Sequence, residues 1–210
     1  MVIISLYVDD ILITENDEQR MEKLRTQLEQ ELRCQILGER LFLGMEIAQS
    51  EKEIFISQKK YARELLKKFK LENCKVVSTP LILHIEPSKA KEEEMVYEKE
   101  FRSIIGSLLY LTATRLDLTY AISLLSRFMN SARQSYMEIV KHILRYVRGT
   151  TDLGIHFQAH TEGELLGYTD SDWVGSVEDA KSTSGYVFSL GSDAFSWSSK
   201  KQEIIAQSST

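Results

Sequence analysis

The sequence predicts an α+β fold, in which strands and helices fall into separate blocks along the chain. Three patterns carry that expectation. Two Val/Ile-rich strand pairs occupy the first 57 residues, apolar stripes at helical spacing fill the middle, and strand-like runs return from about residue 153.

The chain opens MVIISLYVDDILIT, which reads as strands over 2–8 and 11–14 around the pair Asp9–Asp10. Asn16 or Asp17 is placed to cap the next helix, whose Met21, Leu24, Leu28 and Leu32 make an apolar stripe beside a charged outer face. LFLGMEIAQ and EIFISQ follow as a second strand pair around the polar turn SEKE. Ser57 is positioned to cap QKKYARELLKKFKLE, a helix with Tyr61, Leu65, Leu66 and Phe69 on one face. Its other face carries Lys59, Lys60, Arg63, Lys67, Lys68 and Lys70, which is either a solvated surface or a footprint for phosphates. Residues 72–96 hold both prolines, Pro80 and Pro87, and a charge run, as a linker or long loop would.

Three apolar stripes then predict helices. They are Phe101, Ile104, Ile105, Leu108 and Leu109; Leu118, Ala121, Ile122, Leu125 and Phe128; and Ile139, Ile143, Tyr146 and Val147, the last ended by Gly149. LGIHF, ELLGYTD, GYVFSL and AFSWSS read as strands joined by polar turns. No internal repeat is present.

Composition narrows the class. A chain of 210 residues with 43% hydrophobic and 27% charged residues has ample length for a globular core. A net charge of −5 offers no global attraction to nucleic acid, so such binding needs local basic patches. Cys34 and Cys74 are far apart and lack metal-ligand spacing, which points to reduced thiols and an intracellular location. VIISLYV is too short for a membrane span and has no basic stretch before it, so neither a membrane segment nor a secretory leader is expected.

Asp9 and Asp10 read either as turn residues of a hairpin or as carboxylates presented to a metal ion. Asp170 and Asp172 close an apolar strand and pose the same choice. His84, His142, His156 and His160 form no ligand pattern, since a spacing of four in a strand-to-loop context does not put two rings on one face. No Gly-rich phosphate loop, GxSxG or HExxH occurs.

LYVDDILIT resembles the YxDD motif of reverse transcriptases in the YVDD form of copia-type retrotransposon Pol polyproteins. LFLGMEI, ISQKKYARELLKKF, CKVVSTPL, FRSIIGSLLYLTATRLDLTYAISLLSRFM, ILRYVRGTTDLGI, GYTDSDWVGS, KSTSGYVFSLG and SWSSKKQEIIAQSST resemble that family's successive blocks, in order over nearly the whole chain.

The resemblance implies a palm remnant of antiparallel strands over 1–57 and a thumb-like helical region over 58–130. It further implies a connection over 131–160 and the first half of a ribonuclease H domain, an incomplete mixed sheet, over 161–210. Asp9 and Asp10 would then be palm carboxylates for Mg²⁺, and Asp170 the first ribonuclease H metal ligand. Tyr7 and Val8 would lie against the primer end and incoming nucleotide. Phe42, Leu43, Gly44 and Met45 would belong to the hairpin that grips the primer, and Lys59, Lys60, Lys67 and Lys68 would meet the nucleic-acid backbone. The implied partners are a primer–template or an RNA–DNA hybrid.

Two-metal phosphoryl transfer needs several hard oxygen ligands around ions about 3.5–4 Å apart. The resemblance puts further acidic ligands upstream of YVDD and downstream of QSST, so the 210 residues are expected to be inactive alone, with unpaired strand edges and marginal stability. The alternative is a non-catalytic module binding nucleic acid or protein. Departures from the family pattern include Ile36-Leu37-Gly38, a residue missing between Arg40 and Leu41, Thr114-Arg115-Leu116-Asp117, Asp179-Ala180-Lys181-Ser182-Thr183, and Ala132 and Tyr136 in place of Pro and His. They suggest an element copy accumulating substitutions.

Overall fold

The computed structural model describes residues 2–8, 10–15, 17–32, 41–81, 95–159, 163–173, 175, 179–191 and 193–205, with the backbone alone at Asp10 and Leu32. Asp9, Asn16, Cys34, Ile36, Leu37, Gly38, Arg40, His84, Pro87 and His160 lie outside the described residues.

β1 (Ile3–Tyr7) and β2 (Asp10–Thr14) pair antiparallel as a two-stranded sheet, from Ile3 opposite Thr14 to Tyr7 opposite Asp10. Every residue of β1 is exposed. α1 (Glu18–Leu32) begins at Asp17, whose Oδ1 accepts the N–H groups of Gln19 at 2.9 Å and Arg20 at 3.2 Å. Those bonds satisfy two of the donors that a helix N-terminus leaves open. Met21, Leu24 and Leu28 form its half-buried stripe.

The second sheet has the order β3-β4-β5-β6, all antiparallel. The single strand expected over LFLGMEIAQ is instead β3 (Leu41–Phe42), a turn at Leu43–Gly44, and β4 (Met45–Gln49). β5 (Glu53–Ser57) follows the expected polar turn, where Ser50 Oγ accepts the Glu53 N–H at 3.2 Å. β6 (Gly154–Gln158) comes back from the far side of the helical block to lie against β5, with Ser57 opposite Gly154. A side chain at Gly154 would run into the Ile56 carbonyl and stand 2.9 Å from the Phe55 ring, so the two strands approach this closely only with glycine there.

Ser57, expected to cap the next helix, is the last ladder residue of β5. Gln58 holds the N-cap position of α2 (Lys59–Lys68) without a side-chain capping bond. Gln58 is 2% exposed, and its amide nitrogen donates to the Tyr110 carbonyl at 3.2 Å while its oxygen accepts the Thr114 hydroxyl at 2.8 Å. Capping falls to a neighbouring strand, since Glu46 Oε2 accepts the Lys60 N–H at 2.9 Å.

α2, α3 (Glu98–Leu111), α4 (Thr119–Ser126) and α5 (Gln134–Gly149) share one hydrophobic core built on Phe101, Ile105, Leu108, Ile122, Leu125, Ile143 and Val147. Each such side chain contributes about 1.5–3 kcal/mol through burial. The stripe on α3 runs through Leu111 (1% exposed) rather than Leu109 (41%). Leu108 and Leu111 are three apart and share a face, whereas Leu109 is turned about 100° away from Leu108. Gly149 is the last residue inside α5, and Thr150 takes the C-cap position. A Cβ on Gly149 would meet Val76 Cβ at 3.3 Å, so this glycine serves close packing. Residues 72–81 hold no helix or strand and run along α5, where Arg148 Nε donates to the Glu72 carbonyl at 2.6 Å and His142 Nε2 bonds the Thr79 carbonyl at 2.9 Å.

Between α3 and the 3₁₀ turn Leu116–Leu118, the Arg115 guanidinium is buried, 2.7–2.9 Å from both oxygens of Asp117 and 2.8 Å from the carbonyl and hydroxyl oxygens of Thr150. Tyr146 also donates to Asp117, at 2.9 Å.

β7 (Leu165–Ser171), β8 (Thr183–Leu190) and β9 (Asp193–Lys201) form the third sheet. The mixed sheet expected there is antiparallel among the described residues, because each strand pairs with the next in sequence and no crossover intervenes. Trp197 Nε1 donates to the Thr112 carbonyl at 3.2 Å, Ser123 to the Ser199 carbonyl at 2.7 Å and Arg127 to Thr183 Oγ1 at 3.0 Å, which seats this sheet on the α3–α4 end of the core. The fold is α+β with antiparallel sheets.

Candidate nucleic-acid interface

Two tight hairpins dominate the N-terminal quarter. In the first, Tyr7 pairs with Asp10, so Asp10 is already in β2 and the turn starts at Val8, one residue earlier than a turn centred on the Asp pair. Val8 has φ 51 and is 79% exposed. A β-branched residue in the left-handed region is strained, and an exposed side chain gains little burial to offset that strain. In the second hairpin, Phe42 pairs with Met45, and the two turn residues between them have φ 51 (Leu43) and φ 71 (Gly44). Positive φ at both central positions is the type I′ geometry that suits the twist of two-residue hairpins. Phe42, Leu43 and Met45 are half-buried and Gly44 is exposed. β2 and β3 lie against each other, so the structure brings the two hairpins together.

The basic helix is less open than its sequence suggests. Lys59 forms an ion pair with Asp152, and that ammonium holds the Asp152 carboxyl below its ordinary value. Lys68 Nζ donates to Ser103 Oγ at 3.3 Å and lies 5.1 Å from the centre of the Phe69 ring. Lys60 and Lys67 are exposed and have no side-chain partner among the described residues, which leaves them available to phosphates.

Asp170 sits in the third sheet, opposite Gly185 and exposed, on the other side of the helical block from the two hairpins in chain order. It borders a cleft of about 470 Å³ between β7–β9 and the 116–120 segment, with Tyr120, Tyr168 and Trp197 among its walls. Asp172, its neighbour on the motif, is occupied by the backbone. Its Oδ1 accepts the Thr183 N–H at 2.7 Å and the Gly175 N–H at 3.2 Å. Carboxylate oxygens suit Mg²⁺, and Asp170 can supply one ligand. Among the described residues no group of three or more His, Cys, Asp and Glu surrounds it or any other point.

Glu46, Gln58 and Tyr110, which tie the second hairpin to the helices, escaped the sequence reading. Tyr110 stands one step off the apolar stripe of α3 and donates its hydroxyl to the Leu43 carbonyl. The aromatic walls of the Asp170 cleft also went unread, since Tyr120 and Tyr168 lie 48 positions apart and meet only in the fold.

Residues 1–83 match the family model described as reverse transcriptase (RNA-dependent DNA polymerase). Across 100% of its length the chain is 37% identical to the retrovirus-related Pol polyprotein from transposon TNT 1-94 of Nicotiana tabacum, of which it spans 16%. It is 36% identical to the corresponding polyprotein from transposon RE1 of Arabidopsis thaliana, again over 100% of the chain and 14% of the relative. The uncharacterized mitochondrial protein AtMg00810 of Arabidopsis thaliana is 35% identical over 98% of the chain, which covers 85% of that protein. No solved structure matches. With its YVDD hairpin in the matched segment, the chain belongs to the reverse transcriptase family of copia-type retrotransposon Pol polyproteins.

Proposed function

We propose that this chain is the part of a copia-type Pol polyprotein that handles the primer terminus in RNA-directed DNA synthesis and carries the start of its ribonuclease H. Residues 1–57 act as the end of the palm, 58–130 as thumb, 131–160 as connection and 161–210 as the beginning of the ribonuclease H sheet. The observation that carries this reading is the pair of adjacent hairpins inside the segment matching reverse transcriptase. A strained, exposed turn is a rigid way to present a short motif to a ligand.

In this reading Tyr7 and Val8 face the primer end and incoming nucleotide, and Phe42 to Met45 grip the primer strand. Asp9 and Asp10 are carboxylates for Mg²⁺, and Asp170 is a ligand for the ions of RNA-strand cleavage. When bound, paired Mg²⁺ supplies charge stabilisation at the attacking and leaving oxygens. Two such ions need more ligands than Asp9 and Asp10 provide, so the 210 residues by themselves bind primer–template without extending it.

Lys60 and Lys67 supply the phosphate contacts on α2, joined by Lys59 and Lys68 once their partners yield. Fluorescence anisotropy with a labelled primer–template between 50 and 200 mM salt tests this. The Lys60→Ala/Lys67→Ala double variant is expected to bind more weakly and to reduce the log–log salt slope by about 2. Absence of salt-sensitive binding by the parent chain would overturn the proposal.

A further inference from the structure

The hairpin that carries Phe42 to Met45 is a short ribbon set against the helical layer. Among the described residues β3 comprises Leu41–Phe42, which pair across to β4 as Leu41–Glu46 and Phe42–Met45. Ribbons this short are marginal without support. Support comes from the helices at both ends of the β3–β4 unit. At its base Glu46 accepts the Lys60 N–H, and at its tip the Tyr110 hydroxyl donates to the Leu43 carbonyl.

The tip contact is shaped on both sides. An ideal Cβ at Gly44 would stand 2.5 Å from the Tyr110 hydroxyl oxygen and 3.6 Å from ring carbon Cζ. Gly44 therefore answers two demands, its φ of 71 and the approach of this hydroxyl. Tyr110 is anchored in turn. Its carbonyl accepts the Gln58 amide at 3.2 Å, and its ring meets Tyr61 edge-on at 4.7 Å and 83°. Tyr61 donates to the Ser107 carbonyl one turn back along α3, at 3.0 Å. At 37% exposure Tyr110 stands at the rim of the core, beside the exposed turn.

We propose that Tyr110 is a positioning residue that locks the Leu43–Gly44 tip to the α2–α3 layer, so that the primer-gripping hairpin moves as one body with those helices. The primer role of the hairpin rests on the function proposed above; the lock itself does not. Its hydroxyl is the working group, and its ring is the mount.

Hydrogen–deuterium exchange and primer–template anisotropy on the 210-residue chain test the lock in wild type, Tyr110→Phe, Gly44→Ala and the double variant. Tyr110→Phe is expected to speed exchange in peptide 41–49 about 3- to 10-fold, the worth of one hydrogen bond, while α5 stays protected. Primer–template affinity falls by a similar factor with an unchanged salt slope, which a change in charge contacts would not produce. Gly44→Ala is expected to loosen the same peptide further, and adding Tyr110→Phe to restore part of the loss, because only the hydroxyl oxygen collides with the new methyl. Wild-type exchange in Tyr110→Phe, or no rescue in the double variant, would overturn the lock. If wild type binds no primer–template, the functional reading fails while exchange and rescue still decide the role of Tyr110.

Discussion

Arg115 is 2% exposed and faces an Asp117 carboxylate whose side chain is 33% exposed. Burial pushes the Asp117 carboxyl upward, but the Arg115 guanidinium and the Tyr146 hydroxyl outweigh it, and the net position is below the ordinary value. A carboxyl depressed in the folded state adds stability at pH above its unfolded value of 3.8, and the gain is lost as pH falls through the lower folded value. Arg115→Met leaves Asp117 without its cation, at a cost near the lower end of about 3–5 kcal/mol because the carboxylate is partly solvated. Urea melts between pH 3 and 6 should show a shallower loss of stability on acidification in Asp117→Asn than in wild type. The motif departures also read clearly at this scale. Leu116, where the resemblance leads to an expectation of Pro, is 41% exposed at the start of a 3₁₀ turn, a place that does not demand proline. Tyr136, where the resemblance leads to an expectation of His, is 4% exposed and stacks on Phe128 at 4.2 Å, so its ring is used in packing. Val8 shows the opposite case. Its apolar, β-branched side chain reads as strand, and only the Tyr7–Asp10 register reveals that it opens the turn.

Periodicity located the helices well, because four of them share one core and each must present a stripe to it. The Met21, Leu24 and Leu28 stripe, the buried Ile104–Ile105–Leu108 face and the Asp17 cap were all legible as local patterns. What failed were features set by a neighbour. Ser57 could have capped α2 but is drawn into a ladder with β6, and Glu46 from β4 does the capping instead. The break in LFLGMEIAQ follows from two left-handed residues, and the pattern signalled only one of them, Gly44. The β5–β6 pairing provides an element-scale test. Gly154→Ala puts a methyl against the Ile56 carbonyl, and the expected loss is about 2–3 kcal/mol, from strained backbone and a broken ladder bond. Exchange measurements should show faster labelling in both 53–57 and 154–158, with α4 unaffected.

Across the whole molecule, the helical core separates two groups of functional candidates along the chain. The hairpins and α2 precede most of it, and the Asp170 sheet follows it. No local pattern announced that β6 would rejoin β5 across about a hundred residues, or that Asp193 on β9 would accept the His156 N–H of β6 at 2.7 Å. Those contacts link the sheet bearing the second hairpin to the sheet bearing Asp170. The apolar side chains of β1, among them Ile3, Ile4 and Leu6, are exposed among the described residues. The two hairpins are proposed to meet the growing end of a primer. A primer–template with 4-thiothymidine at the primer 3′ end, irradiated with the 210-residue chain and mapped by mass spectrometry, tests it most directly. Such contact predicts adducts in peptides spanning 2–14 and 41–49 that fade when unlabelled primer–template competes. Adducts confined to the β7–β9 sheet, or labelling that competitor does not reduce, would contradict it.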